Sequence, residues 1–97
     1  MPGLVWKIPE SLILCIAEWD DQAVVYHSLS GETHHLNGFA LETLNLIQIG
    51  PFTLNSLVES ALKIFEVEDK TDLEQYIKQM IYQFESLGFI ELINREN

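Results

Sequence analysis

Short runs of apolar and β-branched residues of strand length fill the first part of the chain and a helical period follows from Gly38 onward, so strands come first and helices second. Val5 to Ile8 is short, apolar and closed by Pro9, which suits an edge strand or an arm packed on the body. Leu12 to Trp19 is the first full strand. Leu12, Leu14 and Ile16 share one face, and Ile13, Cys15, Ala17 and Trp19 share the other. Both faces are apolar, whereas a small antiparallel sheet normally leaves one to water. The second face needs a cover, either the arm around Trp6 or a second copy of the chain, so a homodimer is one expectation.

Asp20-Asp21, beside Glu18, turns the chain, and Ala23 to Ser28 returns antiparallel. A three-residue turn, Leu29-Ser30-Gly31, with Gly31 left-handed in a bulge, then pairs Ser28 with Glu32, Tyr26 with His34 and Val24 with Leu36. That register sends Val24, Tyr26, His34 and Leu36 to the core and leaves His27, Thr33 and His35 outside. A two-residue turn would slip the pairing and set His27 opposite His34. The first register gathers the apolar residues on one side and is the one expected.

Asn37 is placed to cap a helix over Gly38 to Ile49, with Ala40, Leu41, Leu44 and Ile47 inward and Gly50-Pro51 as its stop. Thr53 caps a second helix to about Phe65, whose apolar stripe is Leu54, Leu57, Val58, Ala61, Leu62 and Phe65. An acidic loop from Glu66 to Lys70 follows. Thr71-Asp72-Leu73-Glu74 reads as the capping box of a third helix ending at Gly88. Its stripe divides: Leu73, Ile77, Ile81 and Leu87 fit core, while Tyr76, Met80 and Phe84 are adaptable or amphipathic enough to line a groove. Phe89 to Ile93 is a last short strand, and Asn94 to Asn97 is expected to fray. The order predicts an α+β domain of winged-helix type spanning 1–97, with two to three N-terminal strands packed on three helices and a short C-terminal strand.

Composition narrows the function. Ninety-seven residues, 47% of them hydrophobic, suffice for one modest core. Five Lys or Arg against fifteen Asp or Glu give a net charge of −10, which leaves no basic stripe to neutralise phosphates. Nucleic acid is therefore not an expected partner, and a basic or neutral peptide suits the field better. No apolar run approaches the roughly 18 residues of a membrane span, and no signal peptide opens the chain, so the expectation is a soluble, cytoplasmic protein without a membrane partner. The single cysteine, Cys15, excludes an internal disulfide. It lies in an apolar strand and is expected to be inert. His34 and His35 are consecutive on a strand and face opposite ways, so they cannot grip one ion together. His27 and His35 share a face under the expected register but lack a third ligand. No glycine-rich phosphate loop or nucleophile elbow occurs, and neither metal, cofactor nor catalysis is expected. Glu18 and Asp20-Asp21 read as a solvated turn. Glu66, Glu68 and Asp69 read as a solvated loop, or as a docking point for a basic partner enzyme.

The run W-D-D-Q-A-V-V-Y-H-S-L-S-G-E-T-H-H-L-N-G-F-A-L-E-T-L, Trp19 to Leu44, resembles the PqqD family of peptide chaperones. Its G-E-T-H-H-L-N segment is most similar to the branch associated with HPr-kinase-related gene clusters. The resemblance extends from about Trp6 to Leu92 through the order of strands and helices. It implies a winged-helix-like, non-catalytic domain that captures the leader of a ribosomal precursor peptide and presents it to a modifying enzyme. In that family the leader adds as a strand beside the third strand, in the cleft next to the third helix. On this chain the implied strand is Glu32, Thr33, His34, His35 and Leu36, and the helix face carries Tyr76, Ile77, Met80, Ile81 and Phe84, of which Tyr76, Met80 and Phe84 are the groove candidates. His34 departs from the aliphatic residue common at its position. The alternatives are a winged-helix DNA-binding regulator, disfavoured by Asp72, Glu74 and Glu85, and a structural or dimerisation subunit built on the doubly apolar first strand.

Overall fold

The computed structural model describes residues 4–20, 22–65 and 69–95, the final two in their backbone alone. The elements are β1 (Leu4–Lys7), β2 (Leu14–Trp19), β3 (Gln22–His27), β4 (Thr33–Leu36), α1 (Gly38–Ile47), α2 (Leu54–Ile64), α3 (Lys70–Ser86) and β5 (Glu91–Arg95). They form an α+β fold with three helices and two small antiparallel sheets, in the orders β1-β5 and β2-β3-β4. This is compatible with the winged-helix-like description.

Local chemistry fixes the helix starts. The Asn37 side chain accepts a hydrogen bond from Ala40 N at 2.8 Å. Thr53 Oγ1 accepts from Ser56 N at 3.0 Å while Ser56 Oγ accepts from Thr53 N at 2.9 Å, a reciprocal cap. At α3 the cap is Asp69, which accepts from Thr71 N at 2.9 Å, and not Thr71 as the sequence box implied. An Asp two residues earlier takes the free N–H groups first and adds negative charge at the positive end of the helix. The acidic segment Glu66 and Glu68 lies outside the described residues.

One core joins the layers. Leu44 and Ile47 of α1, Val58 and Ala61 of α2, and Ile77, Ile81 and Phe84 of α3 close over Val25 of β3, with Phe89 and Ile90 plugging the end. The arm around Trp6 is part of this core. Trp6 is buried, stacks on Phe52 with ring centroids 5.8 Å apart, and exchanges backbone bonds with Phe52 at 2.9 Å in each direction. On its other side β1 pairs with β5, Leu4 opposite Arg95 and Trp6 opposite Leu92. The arm thus does not cover the outer face of β2, where Cys15, Ala17 and Trp19 stay exposed. Cys15, expected to be inert in its apolar strand, is exposed. The last strand also runs on through residues 94 and 95, which pair with Val5 and Leu4 instead of fraying.

The β3–β4 register differs from the expected one. Ala23 faces Leu36, Val24 faces His35, Val25 faces His34 and Tyr26 faces Thr33. The loop therefore holds four residues, Ser28 to Gly31, closed by Gly31 N–H donating to the His27 carbonyl at 2.8 Å, with Gly31 at φ 77°. Ser28 is drawn into the β2 pairing, its N–H donating to Ile13 O at 3.1 Å and its Oγ accepting from Ile13 N at 2.8 Å. The slip exchanges the faces of β3. Ala23, Val25 and His27 turn to the core, and Val24 and Tyr26 turn outward. Strand β4 keeps His34 and Leu36 inward and Thr33 and His35 outward, as expected. Tyr26 and Val24 were expected inside and His27 outside, and His27 and His35 do not share a face.

His27 explains the exchange. Its Nδ1 accepts from Leu29 N at 3.2 Å and Ser30 N at 3.0 Å, and its Nε2 lies 3.0 Å from Gly88 O. A ring nitrogen that accepts two N–H groups carries no proton, so the tautomer is Nε2–H donating to Gly88. A buried imidazole with both nitrogens satisfied serves the core as well as Tyr26 would have.

Candidate functional site

β4 is the last strand of its sheet, and its outer margin is unpaired among the described residues. His27 N–H donates to Glu32 O at 2.9 Å, so in the antiparallel alternation Glu32, His34 and Leu36 direct their backbone groups at β3. Thr33 and His35 consequently aim their N–H and C=O groups away from the sheet. Four backbone groups stand along an open edge.

Behind that edge, between β4 and α3, runs a groove of about 220 Å³ lined by His34 to Asn37 and Ala40 on one side and by Met80, Gln83, Phe84 and Leu87 of the α3 segment on the other. Phe84 and Leu36 are buried and Met80 is half-buried. The wall exists because α3 turns a different strip toward β4 than toward the other helices. Met80, Gln83 and Leu87 recur at helical spacing on the former, and Leu73, Ile77 and Ile81 fill the core. Phe84, 1% exposed, belongs to the core while its edge reaches the groove.

His34, which lines the groove, packs on the buried Phe89 edge to face at 5.3 Å, and Phe89 in turn lies 5.6 Å from Phe84. Its Nε2 is buried without a hydrogen-bond partner. Glu32 Oε1 is 3.5 Å away, too far to close a hydrogen bond. The Glu32 carboxylate is largely in water, so its attraction for the ring is weak.

Of the residues singled out from sequence, His34, His35, Leu36, Met80 and Phe84 meet at this groove. Thr33 contributes its backbone to the edge, and Glu32 stands at the strand's beginning beside His34. Tyr76 is elsewhere. It is 63% exposed and packs on Phe39 of α1 at 5.5 Å, in an aromatic row continued by Phe65 at 4.9 Å from Phe39. Asn37, Ala40, Gln83 and Leu87 line the groove without having been singled out for it. Gln83 was legible as the polar member one turn beyond Met80, whereas Ala40 enters only because α1 begins directly after β4. Among the described residues no three His, Cys, Asp or Glu side chains converge on a metal position, and no helix is long and apolar enough to cross a membrane.

The fold is similar to that of a solved protein. It superposes on TbiB1, solved in complex with the TbiA(beta) leader peptide, with a TM-score of 0.71, covering 91% of this chain and 98% of that one. Identity is 18%, so the likeness is one of fold. No family model and no curated protein matches the sequence.

Proposed function

We propose that the chain is a single, non-catalytic, cytoplasmic domain that captures the leader of a ribosomal precursor peptide by strand addition and presents it to a modifying enzyme. The observation that carries the reading is the vacant β4 edge with a partly apolar groove directly beneath it. A guest strand lying antiparallel to β4 meets the N–H and C=O groups of Thr33 and His35. Every second side chain then drops toward Met80, Phe84 and His34. The bound leader in the TbiB1 structure, a protein of the same fold, supports the same reading.

Four backbone bonds contribute roughly 2–6 kcal/mol net, at about 0.5–1.5 each. Micromolar affinity requires about 8 kcal/mol, after the ordering cost of a flexible peptide. Side-chain anchors must make up the difference, and the half-buried Met80 and Leu87 offer polarizable and apolar surface for it, with Phe84 buried behind them. The chain's charge of −10 favours a neutral or basic leader. Titration of isotope-labelled protein with the precursor encoded beside it tests the proposal. The largest amide shifts should fall on Thr33 and His35, with Met80 and Phe84 following. An unmoved Glu32–Leu36 segment at saturating peptide would rule the reading out.

A further inference from the structure

The sheet has a second margin that is unpaired among the described residues, β2, on the side away from the groove. Ser28 bonds to Ile13, so the ladder with β3 falls on Ile13, Cys15, Ala17 and Trp19, and Leu14, Ile16 and Glu18 direct their N–H and C=O groups outward. Exposed edges are usually guarded by Pro, Lys, a bulge or an inward charge. The sequence L-C-I-A-E-W has only Glu18, near one end. The adjoining outer face is apolar as well. Ile13 is 64%, Trp19 46% and Tyr26 43% exposed, with Cys15, Ala17 and Val24 between them. In a chain with fifteen carboxylates, no Asp, Glu, Lys or Arg occupies the outward positions of β2, β3 or β4.

We propose that β2 pairs antiparallel with β2 of a second copy about a two-fold axis through Ile16, joining two three-stranded sheets into one. This register engages all the outward backbone groups of Leu14, Ile16 and Glu18 on both strands, with Ile16 opposite itself and Leu14 opposite Glu18 of the second copy. On the outer face it sets Ala17 against Cys15 and Trp19 against Ile13, small against small and large against large. The alternative centred on Glu18 would oppose two carboxylates. In the proposed register the two Glu18 residues lie four strand positions apart, about 13 Å, beyond the screening length at physiological salt. The contact is isologous, and it leaves both β4 edges free at the outer flanks. It stands independently of the peptide-binding reading. Charge adds a signature. Two molecules of −10 repel, so association should strengthen with salt, opposite to a contact held by ion pairs.

The test is sedimentation of the full chain up to ~100 μM, where a weak interface is populated, at low and high salt. The expected mass rises toward twice 11.2 kDa, and more so at high salt. Ile16→Pro removes an outward N–H together with part of a side chain that packs on the core, and should return the protein to monomer, with circular dichroism showing that the fold survives. Should that variant unfold, Ala17→Cys decides instead. The introduced cysteine faces Cys15 of the second copy in a non-hydrogen-bonded pair, at a spacing that admits a disulfide, so mild oxidation should trap a covalent dimer, and adding Cys15→Ser should abolish it. A monomer under every condition, a folded Ile16→Pro variant that still dimerises, or an Ala17→Cys variant that fails to cross-link overturns the proposal. The first outcome would leave the face to a partner of another kind.

Discussion

The imidazole Nε2 of His27 lies 3.0 Å from the carbonyl oxygen of Gly88, joining the β3–β4 loop to the end of α3 across 61 residues of chain. Gly88 has φ 80°, and a Cβ there would stand 3.2 Å from the same nitrogen, so the approach depends on glycine. The end of β3 and its loop toward β4 are thereby tied to the turn that follows α3. His27→Ala removes three hydrogen bonds and leaves Leu29 N, Ser30 N and Gly88 O without this partner. Urea unfolding should show a loss of about 2–4 kcal/mol. A loss below ~0.5 kcal/mol would mean that water replaces the ring at no cost.

His35→Pro probes the edge itself. The His35 N–H is directed away from β3, so proline there leaves the β3–β4 ladder whole while deleting a donor from the open margin. Peptide affinity should fall at least ~10-fold, equivalent to about 1.4 kcal/mol, with little change in stability. Tyr82, exposed on a different face of α3, supplies the control: Tyr82→Ala should bind as the parent does.

Met80→Asp and Leu57→Asp separate groove from core. Met80 is half-buried and borders the groove, so a carboxylate there reaches water and should weaken peptide binding in a folded protein. Leu57 is 2% exposed inside the helix cluster, and an unpaired charge at that position should unfold the domain. Circular dichroism with calorimetric titration distinguishes the two. If both variants unfold, α3 has no spare face for a guest.

Lys70 Nζ bonds Glu59 Oε2 at 3.0 Å, linking the start of α3 to α2. Both side chains are more than half exposed, and the lysine sits at the positive end of its helix. Lys70→Ala should therefore change stability by no more than ~0.5 kcal/mol, as measured by thermal melts.

Helices were legible in the sequence because their causes are local. The caps at Asn37 and Thr53 reach three residues, and the stripes of α1 to α3 repeat within each helix. The groove strip on α3 was partly legible for the same reason, since Met80 and Phe84 stood apart from the aliphatic core positions. Tyr76 belongs to the same periodicity and yet packs on Phe39, because the placement of α1 is not written in the α3 pattern.

The sequence by itself determined the order of strands and helices, the strong acidity, and the presence of a short polar strand leading directly into α1. Only the tertiary structure decided the β3–β4 register, the pairing of the chain's two ends in β1 and β5, and which side chains share the groove. A strand pattern of period two fits either face equally well. The choice between them fell to partners far along the chain: Gly88 for His27, Phe89 for His34, and Phe52 for Trp6.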